Sequence, residues 1–346
     1  MDATSAYWCI PLHPDSREIT AFSTPWGLFH WPVMPFGLIN AGSVYSHFIA
    51  KVLEEGGTDP EKTSSYLDDA IIGTKDTREH IKELRVVLEA HKRAGIKLNL
   101  GKTMLFEREV TYLGHQVTKT GIKMVPEYIQ RILDWPQPKT VKELKSLLGF
   151  LSYYRAYIVG FAEQAAVFNE QRNKKVLAWT PEMTESIEKL KAAFKARPMR
   201  AYSIFGDGED HQPFILTTDY SGQAISAVLS QKQPGGEKLI GACGKRTSSY
   251  EKNYPSYKGE LCAIVFIVRK FEHLCKFATF EVHTDASALR HLMTLKNPTG
   301  IIQRYLEELS TFSFRVIHKA GVLNTNADGL SRSTHLPEPT EAEIQE

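Results

Sequence analysis

What this chain lacks narrows its possibilities first. None of its 346 residues form an apolar run of the ~18 needed to cross a bilayer as a helix, so no membrane partner is expected. The start, Met1-Asp2-Ala3-Thr4-Ser5, lacks the basic and then apolar layout of a secretory signal, which makes an intracellular protein the expectation. Cys9, Cys243, Cys262 and Cys275 are its only cysteines and include no C-x-x-C pair, so they read as reduced thiols and not as a zinc site or a disulfide framework. No internal repeat or low-complexity tract is present. The net charge is only +2, too small to identify a partner.

What is there is a globular composition, 42% hydrophobic and 24% charged, in a chain too long for one ordinary core. Charge is unevenly placed: from Lys123 to Arg200 there are 14 Lys and Arg against 8 Asp and Glu, a local excess suited to a phosphate backbone or simply to solvated helix faces. The most informative stretch is Ser64-Ser65-Tyr66-Leu67-Asp68-Asp69-Ala70-Ile71-Ile72. Adjacent carboxylates between apolar runs suggest a tight hairpin between buried strands, with both acids drawn out of bulk water, an expensive placement unless a cation or donors compensate. A third acid, Asp2, precedes the β-prone Tyr7-Trp8-Cys9-Ile10-Pro11-Leu12. Helical spacing is expected from Asn40 through Leu53 and over 77–92, with strands at 97–100, 104–106 and 110–113.

Further along, Trp135-Pro136-Gln137-Pro138 breaks structure, and Thr140 with Glu143 forms a capping box that opens an apolar helix through Leu144, Leu147, Leu148, Leu151 and Tyr154. A second helix follows Trp179-Thr180-Pro181. From Pro213 the pattern becomes three strands, the first ending at Asp219, with a turn at Pro234-Gly235-Gly236-Glu237. A helix over 258–274 carries Glu260 in its first turn, another strand ends at Asp285, helices span 288–293 and 301–310, a last strand spans 313–318, and Asp328 opens a final turn. The residues from Leu336 to Glu346 are acidic and Pro-containing, the composition of a disordered tail.

Five segments, in order, resemble the palm of a gypsy-type LTR-retrotransposon reverse transcriptase: Asp2-Ala3-Thr4-Ser5-Ala6-Tyr7, Phe36-Gly37-Leu38-Ile39-Asn40-Ala41, Tyr66-Leu67-Asp68-Asp69, Gly95-Ile96-Lys97-Leu98-Asn99 with Lys102, and Tyr112-Leu113-Gly114-His115. The resemblance implies that Asp2 and Asp68 bridge two Mg²⁺ ions, with Mn²⁺ an alternative, and that Asp69 is a weaker ligand. It implies further that Tyr7 excludes a ribose 2′-hydroxyl, and that Phe36, Gly37, Asn40 and Tyr66 face template and nucleotide. Tyr112, Leu113 and Gly114 would form the primer grip, and Lys102 is a candidate to protonate pyrophosphate. The order of strands and helices from Pro213, with Asp219, Glu260, Asp285 and Asp328, resembles the retroelement RNase H domain, whose four carboxylates bind two Mg²⁺ and hydrolyse the RNA of an RNA–DNA hybrid.

The fold class implied is α/β: an α+β palm over 1–120, helical thumb and connection over 121–204, an RNase H-like mixed-sheet domain over 205–335, and the tail 336–346. The implied partners are an RNA–DNA hybrid, a template-primer and dNTP, in cytoplasmic virus-like particles or the nucleus, with no oligomeric state implied. Three departures stand out. Asp2 has almost nothing before it where the family has fingers, so weak polymerisation is expected of the chain as given. Ala286 follows Asp285 where the family usually has His. His318, a candidate auxiliary group near the spacing of a mobile-loop histidine in cellular RNases H, stands where gypsy-type elements more often have Tyr. A catalytically silent nucleic-acid-binding relic, or a structural partner of a longer polymerase, is the alternative.

Overall fold

The structure is a computed structural model that describes residues 1–196, 198–205, 212–284 and 300–318. Its backbone divides into two compact units, Met1–Tyr112 and the described residues from Leu113 onward. Among the described residues no helix is long and apolar enough to cross a membrane, and the four cysteines are unpaired.

In the first unit a short helix α1 (Pro14–Arg17) precedes the hairpin β1 (Phe22–Thr24) and β2 (Gly27–Phe29). Helix α2 (Ala41–Gly56) follows, then β3 (Thr63–Tyr66), β4 (Asp69–Ile72), α3 (Thr77–Arg93) and β5 (Val110–Tyr112). Tyr45, Ile49 and Leu53 lie one and two turns apart on α2 and are buried with Val87 of α3, which explains why two helices with polar outer faces lie together. Gly57, at φ 78°, ends α2 in the left-handed conformation that glycine adopts without a Cβ penalty.

Two expected strand regions are absent. Residues 6–9 form a 3₁₀ turn, held by a left-handed Ser5 (φ 51°) and by the Cys9 thiol donating to the Ala6 carbonyl. Residues 97–106 contribute only an isolated bridge at Leu98: Asn99 folds its side chain onto the Gly101 amide, and Phe106 sits at φ 58°. Both interruptions need positive φ at non-glycine residues, which sequence patterning does not signal.

The second unit opens with β6 (His115–Val117) and β7 (Gly121–Met124), then α4 (Pro126–Leu133), α5 (Val141–Tyr153), α6 (Phe161–Ala166), α7 (Pro181–Lys195) and β8 (Met199–Ala201). The expected cap is present: the Thr140 hydroxyl accepts from the Glu143 amide at 3.2 Å, and the Glu143 carboxylate accepts from the Lys139 amide at 2.8 Å. Leu144, Leu147 and Leu151 of α5 form one core with Leu190 and Phe194 of α7.

Next come β9 (Phe214–Tyr220), β10 (Ala224–Gln233), β11 (Gly236–Arg246), α8 (Ser256–Lys270), α9 (Glu272–Cys275), β12 (Phe280–Thr284), α10 (Ile301–Leu309) and β13 (Phe314–His318). The five strands form one sheet in the order β11-β10-β9-β12-β13; the first three are antiparallel, and β12 runs parallel to both β9 and β13. Leu261, Ile264 and Val268 on one face of α8 bury against Phe214, Leu216, Leu229 and Val282. This is the mixed α/β arrangement expected of the C-terminal third. Helix α8 starts at Ser256, two residues earlier than expected, because Pro255 supports the entry; Glu260 therefore lies beyond the first turn.

Candidate active sites

In the first unit the Asp68-Asp69 hairpin is a two-residue turn. Tyr66 pairs with Asp69, Ser65 with Ala70 and Thr63 with Ile72, which leaves Leu67 and Asp68 at the tip. Leu67 is held at φ 50°, a conformation costing a bulky residue about 1 kcal/mol or more.

Asp2 reaches this turn through the backbone. It bridges Asp69, the Ala3 amide donates to the Asp68 carbonyl at 2.9 Å, and the Ala70 amide donates to the Met1 carbonyl at 2.9 Å. On its other side the Asn99 amide donates to the Asp2 carbonyl at 2.8 Å and the Thr4 amide to the Lys97 carbonyl at 2.7 Å. Three stretches separated by up to about a hundred residues are thus stitched edge to edge. The Lys102 ammonium lies 3.6 Å from the Asp2 carboxylate. Asp2, Asp69, Lys102 and Tyr112 line one cavity of about 140 Å³ together with His80 and Phe106, whereas Asp68 does not line it. Burial, and after it the Asp69 charge, pushes the Tyr112 phenol pKa up.

Contrary to the reading from the apolar flanks, the side chains of Asp68 and Asp69 are exposed, because strands this short present both faces to solvent at the tip. The Tyr7 ring packs on Phe36 at 5.3 Å and Tyr45 at 5.6 Å, a setting that fixes its direction. Phe36 and Tyr66 are exposed, Gly37 takes φ 96°, and Asn40 precedes α2 with its carbonyl accepting from Val44.

In the second unit, Leu113 and Gly114 both take positive φ, 47° and 73°. The Tyr153 hydroxyl donates to the Leu113 carbonyl at 2.5 Å, that of Tyr154 to the Gly114 carbonyl at 3.1 Å, and that of Tyr157 lies 2.9 Å from His115 Nδ1. His115 also stacks on Tyr153 with a 9° interplanar angle. Burial, then the Arg200 charge, holds the His115 pKa below its ordinary value. The sequence placed Tyr154 on an apolar helix face; the hydroxyls of all three tyrosines carry the specific contacts.

In the sheet, Asp219 stands exposed at the penultimate position of β9, and Glu260 is 4% exposed on α8. The intervening link is the Tyr220 amide, which donates to Glu260 Oε1 at 3.3 Å. Strand β12 runs parallel to β9 with His283 opposite Thr217, so both strands end on the same side, and His318 closes β13 opposite Thr284. Asp285 and Asp328 lie outside the described residues. Carboxylate oxygens are the hard donors that divalent Mg²⁺ prefers, and both acid sets suit it by donor type. Among the described residues, however, no three acid, histidine or cysteine groups converge closely enough to hold a metal ion.

Comparison with known proteins agrees with this architecture. Residues 1–117 match the family model of reverse transcriptase (RNA-dependent DNA polymerase), and residues 209–312 match that of the RNase H-like domain found in reverse transcriptase. Along the chain, the match to the polymerase model thus precedes the match to the RNase H-like model. More particularly, the chain is similar to the Pol polyproteins of LTR transposons. It is 31% identical over 345 residues to the retrovirus-related Pol polyprotein from transposon opus of Drosophila melanogaster, covering 96% of this chain and 34% of that protein. It is 29% identical to the transposon Tf2-3 polyprotein of Schizosaccharomyces pombe, covering 98% of this chain and 25% of that one. The chain therefore spans about a quarter to a third of these relatives. The foamy viral protease-reverse transcriptase solved in complex with an RNA/DNA hybrid has the same fold, with a TM-score of 0.75 at 22% identity, covering 98% of this chain and 44% of that one. Families of this kind generally depend on divalent metal ions.

Proposed function

We propose that this chain is the polymerase and RNase H portion of a retroelement Pol protein, that its sheet domain hydrolyses the RNA strand of RNA–DNA hybrids, and that its N-terminal domain extends a primer on an RNA or DNA template using dNTPs. The observation that carries the reading is the backbone stitching of Asp2 to the Asp68-Asp69 turn, which joins acids from distant motifs at one cavity. Asp2, Asp68 and Asp69 would hold the ions of the polymerase site, and Asp219, Glu260, Asp285 and Asp328 those of the nuclease site, two Mg²⁺ each. Such ions, when bound, supply a nucleophile of lowered pKa and a charge sink for the leaving oxygen. The protein's own share is orientation. The packed Tyr7 ring would test the sugar, Phe36, Gly37, Asn40 and Tyr66 would meet template and nucleotide, and the tyrosine-braced Leu113-Gly114 turn would hold the primer end. Lys102 would donate a proton to pyrophosphate, and His318 would assist release of the cleaved RNA. Recognition of the hybrid would rest on phosphates and groove shape and not on sequence.

The test is cleavage of a labelled RNA–DNA hybrid with and without Mg²⁺, beside an Asp219→Asn variant, with primer extension by the same preparations. Metal-dependent cleavage lost in the variant is the expected result. Equal cleavage by the variant would refute the nuclease reading, and hybrid binding without any cleavage would favour the silent nucleic-acid-binding alternative.

A further inference from the structure

Between Asp219 and Glu260, the two described candidate acids of the nuclease site, stands a residue that the family resemblance does not assign. Tyr220 follows Asp219 directly and makes three separate contacts with the segment that leads into α8 and with α8 itself. Its amide donates to Glu260 Oε1 at 3.3 Å. Its ring occupies the space beside Gly259, where an added Cβ would stand 2.2 Å from the ring carbon Cε1. Its hydroxyl donates to the Glu251 carbonyl. Glu251 is itself fixed, with Oε1 at 2.6 Å from Lys245 Nζ and Oε2 accepting from the Ser248 amide at 2.7 Å.

We propose that Tyr220 is a positioning residue that latches the end of β9 to the beginning of α8 and thereby sets the distance between Asp219 and Glu260, on which divalent-ion affinity at this site depends. Asp219 is exposed near the end of β9, whereas Glu260 is buried on a helix. The residue after Asp219 ties this strand end to Glu260 through its amide, and Gly259 leaves the room for its ring, which any side chain there would displace. The inference rests on the nuclease reading above for its consequence, but its geometry is tested by ion binding alone. Groups that hold ligating side chains in place typically change metal affinity about 10-fold or more when removed.

The full chain is compared with Gly259→Ala, with the double variant Gly259→Ala/Tyr220→Leu, and with Asp219→Asn. Mn²⁺ binding is followed by loss of the free-ion paramagnetic resonance signal, thermal unfolding by circular dichroism, and hybrid cleavage against Mg²⁺ concentration. Gly259→Ala is expected to lower Tm and to weaken, by about 10-fold, the Mn²⁺ binding that Asp219→Asn abolishes. The double variant removes the displaced ring, so Tm recovers while Mn²⁺ binding stays weak; a purely structural role would restore both. The Mg²⁺ concentration for half-maximal cleavage should rise by the same factor while kcat at saturating Mg²⁺ stays within about twofold. Normal Mn²⁺ affinity in either Gly259 variant overturns the proposal, as does the absence of any Asp219-dependent Mn²⁺ binding in the unaltered chain. If that binding is present and responds to the latch but no hybrid is cleaved, the nuclease reading fails and the latch stands.

Discussion

Lys102 and Asp2 make an ion pair at 3.6 Å with the lysine side chain 68% exposed, so the pair adds little to stability. Lys102→Gln should leave Tm within about 1 °C while lowering the primer-extension rate at saturating dNTP about 10²-fold, the range of a lost proton donor. Equal rates measured by single-turnover extension would leave Lys102 as a surface charge. Gly121 is the opposite case, a residue of no chemistry and a tight fit. It takes φ 157°, and an added Cβ would stand 2.2 Å from the Arg200 carbonyl oxygen, an atom of the backbone that cannot rotate away. Gly121→Ala should destabilise the second unit by about 2 kcal/mol or more, read as a lower denaturation midpoint in urea. The places of Asp68 at a turn tip and of Asp219 near a strand end were legible in the sequence, because strand patterning and turn residues mark both. The Tyr220 latch was not, since a glycine 39 residues away reads as a weak helix former and not as the seat of a ring.

At the scale of elements, helices were legible where capping chemistry and apolar spacing agreed, as at Thr140 with Glu143 and at Thr180 before α7, whose hydroxyl accepts from the Met183 amide. Strands were legible where turns were marked by glycine, as at Gly235 (φ 85°) between β10 and β11. They were misread at 7–12 and 97–106, where left-handed Ser5 and Phe106 redirect a β-prone chain. The turn before β6 offers a pH test of its brace. His115 faces Tyr153, Tyr154 and Tyr157 from α5 and the 3₁₀ turn after it, with Arg200 of β8 as the charged neighbour. Because its pKa is lowered in the folded protein, the unfolded chain takes up a proton first as pH falls. The stability due to neutral His115 is therefore complete above about pH 6.5 and declines as pH drops from there through the folded pKa. Melting between pH 7.5 and 5.5 should show a shallower acid loss of Tm in His115→Gln than in the unaltered chain, by at most about 1.4 kcal/mol per pH unit. Identical slopes would mean that the brace does not sense this proton.

For the whole molecule, a net charge of +2 conceals the cationic excess between Lys123 and Arg200. If that excess meets phosphates, hybrid affinity should fall steeply with salt, with a log–log slope of about −3 or steeper between 50 and 200 mM salt, independent of base sequence. A slope near zero in fluorescence-anisotropy titrations would assign those residues to solvated helix faces. The sheet order has a different consequence, for synthesis. Strand β9 gains its neighbour β10 within the next few residues, but its other neighbour, β12, begins only at Phe280. Until the ribosome has delivered that strand, the Phe214–Thr217 edge shows unpaired amides and carbonyls beside a hydrophobic face. Each nascent chain thus passes through an interval in which intermolecular strand pairing competes with completion of its own sheet, and the speed of elongation across residues 247–280 sets how long that competition lasts.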